Sequence, residues 1–149
     1  MDAQKIIALI RNMRHDFGNH LQVILGYMDL GCLEEAKDYV YTVVKGMADD
    51  RTLFEQADAE SALYLLNQGF LAKEMGIIIK FSEIKLRTTR LLAKENEPLK
   101  TLAQCREKLD NTGEEIVVSI TLHEDDHSVE MVLAFAHGEA DPIRIRIEE

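Results

Sequence analysis

Arg14, His15 and Asp16, with Asn19 one helical turn further on, are the residues of this chain whose types and spacing offer chemistry. A neutral imidazole has a lone pair that can attack phosphorus. Histidine is also the side chain whose proton comes and goes near neutral pH. A neighbouring carboxylate can accept a proton or hold the ring in one tautomer, and Asp16 is placed for that. Asn19 can orient the ring or a phosphoryl oxygen, and Arg14 can offset phosphate charge. Spacing alone leaves a second reading open, in which His15 is a solvated residue on a helix surface. His15 and His20 cannot share one metal ion as an i, i+4 pair could. Five positions apart, they diverge by roughly 140° around a helix.

The element that must carry these residues is a long amphipathic helix. Ile6, Ile10, Met13, Phe17, Leu21, Ile24 and Met28 recur at spacings of three and four, the signature of one apolar helix face. At about 100° per residue they fill a sector of about 80°. His15 points about 160° from the middle of that sector, so it is expected in solvent at mid-helix with Asn19 on its own face. The helix is expected from Asp2 or Ala3 to Leu30. Gly18 inside it costs roughly 1 kcal/mol relative to alanine. Either a well-packed helix tolerates that cost, or the bare patch lets another backbone approach His15. Gly31 is the C-cap candidate. A second helix follows from Leu33 to Met47, with Leu33, Ala36, Val40, Val43, Val44 and Met47 as its stripe. So short a connection makes an antiparallel hairpin. Two helices bury little by themselves, so a second copy is expected to complete a four-helix bundle by two-fold dimerisation.

Beyond the hairpin, the polar residues 49–58 are expected to link it to a second unit. Ala59 to Met75 predicts a third helix with Leu63, Leu66, Phe70 and Leu71 inward, ended by Gly76. Ile77 to Ser82 predicts a strand from its β-branched content. Thr88 to Asp110 predicts helix, restarted at Pro98 and broken by Asn111-Thr112-Gly113. Ile116 to Leu122 and Val129 to Ala136 predict a β-hairpin around Glu124-Asp125-Asp126, and Ile143 to Ile147 a last strand after Pro142. The fold class is therefore α+β, with about four strands and two helices in the second unit. The domains are drawn at 1–50 and 56–149.

Composition narrows the partners. With 46% hydrophobic residues in 149 positions the chain can build a packed core. A net charge of −10 argues against nucleic acid as the main partner, because phosphates call for a basic surface. No apolar run approaches a membrane span and the N-terminus lacks a signal-peptide core, so a cytoplasmic protein is expected. Cys32 and Cys105 do not form a disulfide or zinc framework. Neither G-x-x-x-x-G-K-[ST] nor G-x-G-x-x-G occurs, and the second unit has only Gly113 and Gly138 after its first strand. His123, His127 and His137 surround the predicted hairpin strands and read as surface or strand-end histidines.

The run Arg14-His15-Asp16-Phe17-Gly18-Asn19-His20-Leu21-Gln22-Val23-Ile24, followed by Gly26 and Leu30, resembles the R-H-D-x-x-N-x-L-Q-x-I-x-G phosphoacceptor helix of the sporulation initiation phosphotransferase B family. Citrate/malate-type sensor histidine kinases carry a similar helix. The likeness continues through the hairpin and returns at Ala62 to Ile79, where a helix ending in Glu74-Met75-Gly76-Ile77 enters a strand, similar to the start of the kinase-like domain of that group. After Ile79 it is only architectural.

The resemblance implies a phosphoacceptor at His15, an acidic partner at Asp16 and an asparagine at Asn19. Arg11, Arg14, Gly18 and Gln22 are then expected to meet the docking receiver. It implies a dimeric helical-hairpin bundle followed by a small, degenerate kinase-ATPase-like α/β domain. Where such kinases show an asparagine-rich box, this chain has Leu102 to Asn111, and the later glycine-containing loops have no match. ATP-dependent autokinase activity is therefore not expected. The implied function is phosphorelay, passing phosphoryl groups between response-regulator receiver domains through a phosphohistidine. No cofactor of its own is expected, since the Mg²⁺ belongs to the receiver's acidic pocket. Two alternatives are a non-catalytic dimeric regulator or scaffold that docks a kinase or response regulator, and a minimal ATP-dependent kinase.

Overall fold

A computed structural model describes residues 2–108, 114–136 and 141–149. The chain divides into two compact units, Met1–Arg51 and Thr52–Glu149. The first contains two helices, α1 (Ala3–Asp29) and α2 (Leu33–Asp49). Asp2 starts α1 by accepting a hydrogen bond from the Lys5 N–H, filling one of the free donors of the first turn. Gly31, at φ +73°, turns the chain between the helices in a conformation that costs a side-chain-bearing residue more.

The two helices meet on a face that the apolar stripe does not predict. Leu9 is the buried residue of α1 and Ala36 that of α2. The Tyr39 hydroxyl lies 2.7 Å from His20 Nδ1, and the Tyr39 ring lies 5.7 Å from His20 and 6.5 Å from Tyr27, centroid to centroid. Leu9, His20 and Tyr27 are centred about 70° around the helix from the stripe. Of the expected stripe, Ile6 and Ile24 are half-buried, whereas Ile10, Met13, Phe17, Leu21 and Met28 are 44–58% exposed in the single chain. Val40, Val44 and Met47 of α2 are exposed in the same way.

The second unit opens with α3 (Arg51–Gln56), whose first residue lies at the end of the first unit, and continues with α4 (Ala59–Glu74). The polar stretch expected as a link is thus mostly helical. Leu53 is buried in the core, and the Gln56 side chain accepts the Ile84 N–H. Four strands follow in the order β1 (Ile77–Lys85), β2 (Ile116–Glu124), β3 (Ser128–Phe135) and β4 (Ile143–Glu148). β1 and β2 are parallel, and the crossover between them contains α5 (Arg90–Glu95) and α6 (Leu99–Lys108). The other two pairings are antiparallel. With α3, α4, α5 and α6, this unit has more helices than the two expected. Of the segments read from sequence, Leu109 to Gly113, His137 and Gly138 lie outside the described residues.

Alternation along the strands, with a register shift between Phe81 and Glu83 that returns Ile84 to the face of Ile77, sends Ile77, Ile84, Val118, Ile120, Leu122, Met131, Leu133 and Ile147 into one core. Each contributes on the order of 1.5–3 kcal/mol by leaving water. α4 reaches this core with Ala62, Leu65 and Ala72, and buries Ser61 and Gln68 beside them. The expected inward residues Leu63, Leu66, Phe70 and Leu71 are only half-buried. α4 is apolar on several sides, so periodicity could not choose among them.

A polar knot joins α4 to the start of α6. Gln68 donates to Asn96 Oδ1 and accepts the Leu99 N–H, Tyr64 donates to the Glu97 carbonyl, and the buried Glu97 carboxylate accepts from both the Thr101 N–H and hydroxyl. Burial and the nearby Glu97 push the Tyr64 hydroxyl far above its ordinary pKa. At the far end of the sheet, Glu124 accepts from the Arg87 and Thr88 N–H groups, tying the β2–β3 turn to the segment after β1.

Candidate functional site

α1 carries His15 through mid-helix with no element of its own hairpin over it. The side chain is 74% exposed, while that of Asp16 is 29% exposed. Asn19 follows four residues later, which brings its amide alongside the ring. Its Nδ2 stands 3.3 Å from His15 Nδ1. Asp16 Oδ1 lies 3.9 Å from the same nitrogen, beyond hydrogen-bond length but within reach of a small rotation. Both neighbours are thus on the Nδ1 side of the ring. Chemically, this is an accessible imidazole whose Nδ1 is flanked by an amide and a carboxylate of its own helix.

Arg11, Gly18 and Gln22 project, like His15, within about 60° of one another around the helix, and Arg14 is about 40° beyond Gly18. Arg11, Arg14 and Gln22 are exposed. Gly18 has open space where a Cβ would stand, with no atom within 4 Å. Among the described residues nothing requires glycine there, so its helix-propensity cost is not repaid by packing within the hairpin.

His20 belongs to the hairpin rather than to this face, being half-buried against Tyr39. Sequence reasoning did not find Tyr39, because its link to His20 joins positions 19 residues apart on different helices. Among the described residues, no three His, Cys, Asp or Glu side chains converge as metal ligands would. Cys105 is buried, which raises its thiol pKa, and Cys32 is half-buried. His123 and His127 are exposed on and beside the β2–β3 hairpin. No helix among the described residues is long and apolar enough to cross a membrane.

Residues 1–55 match the family described as the sensor kinase SpoOB-type, alpha-helical domain. The match covers α1 and α2 and most of α3, and agrees with the family that the His15 run resembles. It stops before α4, so it does not speak to the sheet-bearing unit. A comparison of the chain with curated proteins gives no match.

Proposed function

We propose that this protein is a histidine phosphotransferase of a phosphorelay, with His15 as the residue that carries the phosphoryl group. The observation that supports this most is the open imidazole at mid-α1, flanked by Asn19 and Asp16 on its Nδ1 side, within a helical unit of the SpoOB type. A receiver domain docks along the face of Arg11, Arg14, Gly18 and Gln22. The bare surface at Gly18 gives the partner's backbone room, and the two arginines meet the negative charge of an acidic phosphorylation pocket.

In the forward step His15 Nε2 attacks the aspartyl phosphate in line. The N–P bond forms as the acyl P–O bond breaks, and the aspartate leaves as a carboxylate. For a neutral ring to present a lone pair at Nε2, its proton must sit on Nδ1, where Asp16 is the neighbouring carboxylate that can hold it. The reverse sequence hands the group to a second receiver. Mg²⁺ enters with the receiver, whose acidic pocket binds it.

Dimerisation belongs to the same reading. Ile10, Met13, Phe17, Leu21 and Met28 on α1, with Val40, Val44 and Met47 on α2, give an apolar surface that a second hairpin of the same kind would cover as a four-helix bundle. The test of the whole reading uses a panel of receiver domains bearing labelled aspartyl phosphate. The expected result is acid-labile, alkali-stable label on this chain from at least one of them. Binding of a receiver without any label would favour a regulatory scaffold instead.

A further inference from the structure

The face of α1 that carries Arg11, Arg14, Gly18 and Gln22 points about 180° away from the face that meets α2 through Leu9, His20 and Tyr27. α2 of the same chain therefore cannot flank a receiver docked there. The uncovered row of Ile10, Met13, Phe17, Leu21 and Met28 lies between these two faces, about 80° from the α2 contact and about 100° from the docking face. Whatever covers that row stands beside the docking face.

The spacing of apolar residues on the two helices selects what covers it. His20 and Tyr39, 2.7 Å apart, mark one height along the hairpin. Counted from there at about 1.5 Å per residue, the exposed Leu33, Val40, Val44 and Met47 of α2 stand within about two residues of the heights of Met28, Leu21, Phe17 and Met13. A two-fold axis parallel to the helices keeps these heights and lays α2 of one chain along the α1 row of the other, so all four pairs meet. An axis across the helices, centred on the α1 row, instead sets Met47 opposite Lys37 and Leu33 opposite Arg51, which buries charge against apolar surface. The parallel axis is the one that fits. Tyr41, 66% exposed, lies about 170° around α2 from Ala36 and Tyr39, so it too points away from its own α1. It shares the height of Gly18.

We propose that each receiver-docking site is shared between two chains: one supplies His15 and the face around Gly18, and Tyr41 of the partner subunit forms the second wall. This rests on the reading of His15 as the phosphoacceptor and of two hairpins as a bundle. An exposed tyrosine brings a broad, stiff ring with a polar tip, the make-up of an interface anchor. It gives the receiver an apolar hold beside Arg11 and Arg14, the cations that meet its acidic pocket. A single chain therefore carries half of each of two sites, and the site at His15 is incomplete without the second copy.

The test uses mixed dimers of full chains carrying two different affinity tags, with a receiver domain bearing labelled aspartyl phosphate. In a dimer of His15→Gln with Tyr41→Ala, the one remaining His15 faces an intact Tyr41 of the partner subunit. It is expected to take label as fast as a dimer of wild type with His15→Gln. In a dimer of wild type with the double variant His15→Gln/Tyr41→Ala, the one His15 faces the truncated side chain. Label is expected about tenfold more slowly at low receiver concentration, with the gap closing as the receiver saturates, because docking and not chemistry is lost. Equal rates in these two mixed dimers, or the reverse order, would overturn the proposal. A second arm needs no receiver. Chains bearing Arg14→Cys and chains bearing Tyr41→Cys, both with Cys32→Ser, are mixed and treated with a short bismaleimide. A cross-link between the two kinds of chain is expected, and its absence from a mixture that sediments as dimers would overturn the shared geometry. If the cross-link forms and no receiver labels any dimer, the phosphorelay reading fails and the docking role of Tyr41 falls with it, while the arrangement of the helices stands.

Discussion

At the scale of the residue, the proposed chemistry of His15 draws on access and on what flanks its Nδ1, and not on burial. Asp16 and Asn19 occupy one side of the ring and leave the other to a partner. Asp16→Asn keeps the size and helix position of the side chain but removes the charge that favours a proton on Nδ1. Transfer from a phosphorylated receiver is expected to slow by about tenfold or more with the melting temperature nearly unchanged, as a rapid-quench time course would measure. An unchanged rate would remove Asp16 from the chemistry. That Asn19 shares the face of His15 was legible in sequence because helical geometry decides which side chains lie together within one turn, whereas the roles given to these residues came from the resemblance. The partner of His20 was not legible, since nothing local to α1 announces Tyr39 on another helix.

At the scale of the element, periodicity located most helices and strands, and tertiary contacts then decided which faces they use. α1 bears one apolar stripe, yet it meets α2 through Leu9, His20 and Tyr27, and most of the stripe stays uncovered in the single chain. α4 turns Ala62, Leu65 and Ala72 inward where a count of leucines pointed elsewhere. The strands were plain because strict alternation such as Ile143-Arg144-Ile145-Arg146-Ile147 has only one reading. The start of α4 was not singled out, and it makes a testable statement. Asp58 accepts from the Ser61 N–H at 2.9 Å and from its hydroxyl at 3.1 Å, and the backbone hydrogen bond is the main reason its pKa is lowered. A depressed carboxyl stabilises the fold above the ordinary aspartate value of about 3.9 and loses that contribution as the pH falls through its folded value. Asp58→Ala is therefore expected to melt below wild type at pH 7, with the gap closing below about pH 4. A gap that persists at pH 2 would show that the charge is not what matters.

At the scale of the whole molecule, the two units divide the work unequally. The second is a self-sufficient α+β core with a mixed four-stranded sheet. The first buries only Leu9 and Ala36 fully among its described residues while keeping a row of large apolar side chains in the open. In the proposed bundle a second copy would cover this row. Phe17, 58% exposed on the stripe, is the position to break. Phe17→Asp is expected to convert a dimer into a single 17.0 kDa chain in sedimentation equilibrium and to lower phosphotransfer with it. A wild type that sediments as one chain at micromolar concentration would contradict the bundle.

The most direct measurement follows labelled phosphate through His15 itself. A phosphorylated receiver is mixed with this protein, and an unphosphorylated second receiver is then added to take the label, in parallel with His15→Gln. Label that appears on the wild-type chain, passes to the second receiver and does neither with His15→Gln is the expected result. Transfer between the receivers that proceeds equally well with His15→Gln would contradict a phosphohistidine at this position.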